Sequence, residues 1–149
     1  MAEHKLIVGT LAGALAAVDL VEKSVDRTQL IDFHSRSLVW AIGSALLIVV
    51  AFGLAWLRSR TVAFSAGIMA GGVLANLVSA VAHGGQVPNP IVIGSDRNGV
   101  AFNLADVFTL IGLFALIVSV CVVLVVHRER LLPPRAWERA LWRKIRGAS

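Results

Sequence analysis

The chain has 149 residues, of which 57% are hydrophobic, and its mean hydropathy is +0.79. Such a hydropathy excludes an ordinary soluble domain and predicts a membrane protein. A formal net charge of +5 would suit nucleic acid, but the basic residues stand beside apolar runs, an arrangement typical of contacts with anionic lipid headgroups. We therefore expect membrane lipid as a partner and no nucleic acid. The single cysteine, Cys121, excludes an internal disulfide.

Four apolar runs approach or exceed the length of about 20 residues that a helix needs to cross a bilayer. The first, 6–23, reaches this length only by including the charged segment Asp19–Lys23, and it also resembles the apolar part of a secretory signal peptide. We interpret it as a membrane helix. The remaining runs are 38–57, 61–83 and 104–127. Their only charged side chain is that of Asp106, so the sequence predicts an all-α membrane protein with four transmembrane helices.

Two shorter segments complete the predicted architecture. Residues 84–101 hold apolar Ile91–Ile93 between turn residues, which predicts a small hairpin at the membrane surface. After a proline pair at 133–134, apolar residues recur at helical spacing among basic ones, namely Trp137, Leu141 and Ile145. This pattern predicts a C-terminal amphipathic helix on the cytoplasmic leaflet. We therefore divide the chain into a four-helix transmembrane domain, 1–127, and a basic tail, 128–149.

The placement of lysine and arginine predicts how the chain crosses the membrane. Ten of the 14 basic residues fall on one side of the predicted helices. The other four are Lys23, Arg27, Arg36 and Arg97. Because cytoplasmic loops carry the excess of positive charge, we expect both termini in the cytoplasm and the hairpin outside it. Polar residues near the other ends of the helices should then gather at the outer face.

Three polar segments stand at those outer ends. Residues 19–23 read DLVEK, residues 70–79 read AGGVLANLVS and residues 102–106 read FNLAD. In this order they resemble the lipoprotein signal peptidase (signal peptidase II) family, whose corresponding segments are Asp-x-x-x-Lys, Gly-Gly-x-x-Gly-Asn-x-x-Asp-Arg and Phe-Asn-x-Ala-Asp. The resemblance implies a multi-pass protein of the bacterial inner membrane. It also implies an aspartyl peptidase that removes signal peptides from diacylglyceryl-modified prolipoproteins with a pair of aspartates.

The resemblance breaks at one of the two catalytic positions. Asp106 stands where the family has one catalytic aspartate, whereas Ser79 stands where it has the other, 27 residues earlier, and Ala80 replaces the following arginine. Aspartyl proteolysis needs two carboxylates close enough to share a proton, and a serine hydroxyl cannot take either half of that role. We therefore expect a catalytically degenerate member that serves as a binding, accessory or assembly subunit.

By the same resemblance, four further residues would support the site. Asp19 and Lys23 would do so from the first helix, while Asn76 and Asn103 would form hydrogen bonds near Asp106. For these residues, and for Asp106, a purely structural role stays open. An acid in the first turn of a helix suits the helix dipole, asparagines join membrane helices, and a lysine beside an acid suits a neutralised helix end.

Other functions also stay open. The main alternative is an active intramembrane aspartyl endopeptidase that cleaves prolipoprotein signal peptides with Asp106 and a non-standard second acid, either Asp19 or Asp96. A subunit of a larger membrane complex is another. A serine peptidase that pairs Ser79 with His83, one helical turn away, is weakly indicated, as is haem held between histidines. The sequence predicts no cofactor and no metal.

Overall fold

A computed structural model of the chain describes residues 2–25, 32–94 and 99–128. Within these ranges lie four long helices: α1 (Ala2–Val25), α2 (Leu38–Leu54), α3 (Arg60–Ala82) and α4 (Leu104–Val126). A short 3₁₀ turn, Ala55–Leu57, extends α2. All four helices are long and apolar enough to cross a membrane, which confirms the prediction of four candidate spans. The amphipathic helix predicted for the tail lies outside the described residues.

The chain divides into two compact units. The first, Met1–Ser119, contains every contact discussed below. The second is Val120–Ser149, and its described part is the last turns of α4 with residues 127 and 128. The predicted boundary between a transmembrane domain and a tail, at residue 127, stays a prediction.

Serine side chains start two of the helices. Ser37 Oγ accepts a hydrogen bond from the Trp40 amide at 3.2 Å, and Ser59 Oγ accepts one from the Val62 amide at 3.5 Å. Each serine satisfies an amide that the helix itself leaves unpaired. Between α2 and α3 the chain turns through Arg58, which adopts a left-handed backbone conformation with φ of 51°. The turn is short, so α2 and α3 are antiparallel neighbours.

Helix α3 lies at the centre of the bundle. Fourteen of its residues are buried, whereas α2 and α4 bury two and three. Small residues make this possible because they let helix backbones approach closely in a membrane. A Cβ built on Gly71 would lie 2.9 Å from Leu15 Cβ of α1, and one built on Gly72 would lie 2.6 Å from the Thr109 amide nitrogen of α4. The glycines of α3 therefore bring both α1 and α4 against it.

The described residues include four short strands, which lie at one end of the bundle. β1 (Asp32–Ser35) pairs antiparallel with β2 (Gln86–Asn89), and β3 (Ile91–Ile93) pairs antiparallel with β4 (Val100–Phe102). The chain leaves α3 for β2 through Gly84 and Gly85, with φ of 63° and 92°, a conformation that glycine adopts without strain. We call the end of the bundle that carries these strands the strand end. Helices α1 and α3 end there, and helices α2 and α4 begin there. The sequence predicted a hairpin within 84–101 but not the pairing of β1 with β2.

Candidate functional site

A group of polar side chains fills the space between α1, α3 and the start of α4 at the strand end. We call it the polar cluster, and its members are Asp19, Lys23, Asn76, Ser79, Asn103 and Asp106. These are the six residues that the sequence singled out, and the structure brings all of them together in one network of hydrogen bonds. Helical spacing explains part of this, because residues four apart on α1 and three apart on α3 share a face.

The ammonium group of Lys23 lies at the centre of the cluster. Its Nζ is 2.7 Å from Asp19 Oδ2 in an ion pair, and it donates to Asn76 Oδ1 at 3.1 Å and to Ser79 Oγ at 3.2 Å. An ammonium has three donors and no acceptor, so one anion and two hydrogen-bond acceptors suit it well. The Lys23 side chain is only 4% exposed and that of Asp19 is fully buried. Burial of this charge pair is tolerated because each member compensates the other.

Three residues of the cluster hold the first turn of α4. Asp19 Oδ1 accepts the Ala105 amide at 2.7 Å, which places an acid of α1 at the positive end of α4. Asn103 Oδ1 accepts the Asp106 amide at 3.0 Å, and Asp106 Oδ2 accepts the Asn103 amide at 3.3 Å. This reciprocal pair is a capping box with asparagine and aspartate in place of the usual residues. One carboxylate oxygen of Asp106, Oδ2, therefore has the helix-capping role that the sequence left open.

The second oxygen of Asp106 faces α3. Asn76 Nδ2 donates to Asp106 Oδ1 at 2.8 Å, while the carbonyl oxygen of the same amide accepts from Lys23. Asn76 thus connects the ammonium to the carboxylate, and it joins α3 to both α1 and α4 as the interhelical interpretation expects. Asp106 differs from Asp19 in being partly exposed. Of the two aspartates, Asp106 is therefore the one that a ligand can approach.

Two residues that the sequence did not assign to the site extend the network to the strands. Asn103 Nδ2 donates to Asn89 Oδ1 at 2.6 Å, and Asn89 Nδ2 lies 2.5 Å from His34 Nδ1. Asn89 is buried at the end of β2, whereas His34 on β1 is exposed. No spacing rule connects two residues 55 positions apart on separate strands, so only the β1–β2 pairing reveals this part of the network.

The structure also decides between interpretations of Ser79 and its neighbours. His83 Nδ1 lies 2.8 Å from the backbone carbonyl oxygen of Ser79, to which it can only donate. The ring therefore caps the end of α3, and the hydrogen bond recorded at the Ser79 hydroxyl comes from Lys23. Asp96, the second candidate for an additional acid, lies outside the described residues.

No protein-family model, curated protein or solved structure matches the chain. The resemblance to signal peptidase II accordingly rests on the three sequence segments quoted above. Chemically, the cluster combines one buried ion pair with one partly exposed carboxylate, and amide groups link the two. Such an arrangement is suited to accepting hydrogen bonds from a ligand at Asp106.

Proposed function

We propose that the chain is an integral membrane protein of the signal peptidase II type that has lost the catalytic acid pair and acts as a binding, accessory or assembly subunit of the bacterial inner membrane. In this proposal both termini lie in the cytoplasm and the strand end lies at the outer face. The polar cluster is then the remnant of the peptidase site, and its ligand is a membrane segment or a lipid-modified signal segment.

The contacts of Lys23 with Asp19 and Ser79 support the proposal most strongly. In a site with two aspartates, a second carboxylate would stand where Ser79 is, and the two acids would share one proton. Here the Ser79 hydroxyl accepts a hydrogen bond from an ammonium that is already paired with Asp19. Lys23 therefore donates to the serine and cannot take its proton, so the serine is no nucleophile and supplies no acid.

Asp19, the other acid of the polar cluster, does not supply the missing catalytic carboxylate. Both oxygens of Asp19 are engaged, one by the Ala105 amide and the other by Lys23. Asp19 reaches the residue next to Asp106 but is bound to other donors. A second catalytic acid would have to give up both of these contacts in a fully buried position, where an unpaired carboxylate is costly.

Binding, by contrast, needs only what Asp106 keeps. A carboxylate has about four acceptor positions, and Asn76 and Asn103 each use one. Because Asp106 is partly exposed, its spare capacity can accept an amide hydrogen from an extended peptide segment or a hydroxyl hydrogen from a lipid headgroup. Charge-assisted hydrogen bonds of this kind are roughly twice as strong as neutral ones.

A combined binding and cleavage assay tests the proposal. The purified protein in lipid nanodiscs is titrated with a fluorescent diacylglyceryl-modified prolipoprotein segment, and the product is examined on a gel. We expect saturable binding without cleavage. Asp106→Asn should weaken binding by about tenfold, which corresponds to the loss of one charged hydrogen bond. Glu3→Gln removes an acid from the opposite end of α1 and should leave binding unchanged.

Two outcomes would overturn the proposal. Cleavage by the wild-type protein that disappears in Asp106→Asn would establish an active aspartyl peptidase with a non-standard second acid. Equal binding by wild type and Asp106→Asn would show that the polar cluster is not the binding site. Ser79→Asp serves as a separate arm, because cleavage that appears only in this variant would support the loss of the acid pair.

A further inference from the structure

A cleft of about 310 Å³ opens on the side of α3 that faces away from α1, at the strand end. The start of α2 forms one wall and the last turns of α3 form the other. Its lining includes Arg36, Trp40, Ala41, Leu77, Val81 and Gly85. None of these residues belongs to the polar cluster. The volume is at the lower end of the range for ligand pockets in proteins.

Arg36 stands at the mouth of this cleft with unused hydrogen-bonding capacity. Its guanidinium carbon lies 5.2 Å from the centre of the Trp40 ring, a cation–π contact that orients the side chain. Its Nε is buried and has no hydrogen-bond partner among the described residues. A buried donor on a cation is costly to leave unsatisfied. Because Arg36 lines the cleft, an anionic group bound there would compensate the charge of its guanidinium.

The frame of the cleft is fixed by backbone contacts. The Arg36 amide donates to the Gly85 carbonyl oxygen at 2.7 Å, and the Gly85 amide donates to the Ala80 carbonyl oxygen at the same distance. These bonds tie the residue before α2 to the turn after α3. Ser37 starts α2 directly beside Arg36, so the positive end of the α2 dipole faces the same opening. One guanidinium and the positive end of the α2 dipole thus meet at the same end of the cleft.

The walls below Arg36 are apolar and belong to two helices that can cross a membrane. Leu77 and Val81 lie one turn apart on α3, opposite Ala41 on α2. A soluble anion would satisfy the guanidinium but leave these walls uncovered. A molecule with an anionic head and an apolar chain matches both parts of the cleft, and arginine with tryptophan at a membrane interface is a typical setting for it.

We propose that this cleft binds one phospholipid of the leaflet at the strand end, with its phosphate on Arg36 and an acyl chain between α2 and α3. The guanidinium supplies a fork of donors that fits a phosphate. Bound in this way, the lipid covers the side of α3 that α2 leaves open. The inference concerns a different surface from the polar cluster and does not depend on the function proposed for that cluster.

Lipid retention measured by native mass spectrometry tests the proposal. The detergent-purified full chain is titrated with dioleoylphosphatidylglycerol, and dioleoylglycerol and inorganic phosphate serve as probes of the apolar part and the anion alone. We expect one tightly retained phosphatidylglycerol. Arg36→Gln should weaken retention about tenfold or more, since it removes a charged hydrogen-bond donor. Arg36→Lys keeps the positive charge but lacks the planar fork of donors, so its lipid retention should lie between that of the wild type and that of Arg36→Gln.

Matched variants separate the two halves of the site. Arg58→Gln removes the same charge at the opposite end of α2 and should retain the lipid as the wild type does. Ala41→Phe fills the apolar wall and should weaken retention while Arg36 is intact. Equal losses in Arg36→Gln and Arg58→Gln would overturn the proposal in favour of general charge attraction. Retention of dioleoylglycerol at the level of phosphatidylglycerol, or displacement of the lipid by inorganic phosphate, would also overturn it.

Discussion

Replacing Lys23 with methionine should destabilise the protein more than any comparable change of a surface lysine. The substitution keeps most of the side-chain volume but removes the ammonium from a position that is 4% exposed. It leaves the fully buried Asp19 carboxylate without a counter-ion and removes the donor to Asn76 and Ser79. The perturbation therefore tests the three contacts through which Lys23 joins Asp19 of α1 to Asn76 and Ser79 of α3.

The magnitude follows from the burial of the pair. Breaking a buried ion pair by removing one partner costs about 3–5 kcal/mol. We expect a value near the lower end, about 3 kcal/mol, because the unfolded chain in a micelle also finds partners for its polar groups. Lys5→Met is the matched control, since Lys5 is exposed on the same helix and its Nζ lies 4.7 Å from the centre of the Trp56 ring. That contact should be worth about 1 kcal/mol or less.

Unfolding in mixed micelles by sodium dodecyl sulfate, followed by circular dichroism, measures these differences. A double variant, Asp19→Asn with Lys23→Met, makes the measurement specific. The side-chain amide introduced by Asp19→Asn can still accept the Ala105 backbone N–H, and no uncompensated charge is left, so the double variant should recover about 2 kcal/mol relative to Lys23→Met. If Lys23→Met costs no more than Lys5→Met, or if the two cluster substitutions are additive, the account of the cluster is wrong.

The same unfolding assay checks three further predictions. Asn76→Leu should cost about 2 kcal/mol, because it removes both the acceptor of Lys23 and the donor to Asp106, whereas a cost near zero would contradict the bridging role. Gly72→Ala should cost about 1–3 kcal/mol by pushing α4 from α3, while Gly43→Ala, with nothing within 4 Å, should be neutral or slightly stabilising. Glu3→Gln should change stability by less than about 1 kcal/mol, since the ion pair with Arg60 is exposed and screened by solvent.

Hydropathy was sufficient to predict the four helices, and the placement of lysine and arginine predicted that the polar ends of these helices lie at one face. The six residues of the polar cluster were chosen by the resemblance to the signal peptidase II segments. The predicted spans agree with the helices to within a few residues, except that α1 begins at Ala2, four residues before the predicted run. The charged residues Glu3 and Lys5 lower the hydropathy of this first turn, so the apolar run was predicted to begin after it. The pairing of Asp19 with Lys23 could be anticipated because residues four apart share a helix face.

Contacts that depend on the strands could not be predicted in this way. β1 and β2 have four residues each, too few for a periodic pattern, and their pairing brings His34 to Asn89. The capping of α4 by Asp19 was also out of reach, because no local signal relates a side chain of α1 to the amide of Ala105. The sequence indicated that these residues are polar and near one membrane face, but not which donor meets which acceptor.

The bond from Asp19 to the Ala105 amide spans 86 positions of sequence and has a consequence for biogenesis. During synthesis, the first helix emerges with a carboxylate whose backbone partner does not yet exist. Asp19 gains this donor only after the start of α4 has been made and has packed against α1, so two helices far apart in the sequence complete each other. Cutting α1 away from the rest would consequently leave the Ala105 amide without this acceptor and loosen the first turn of α4.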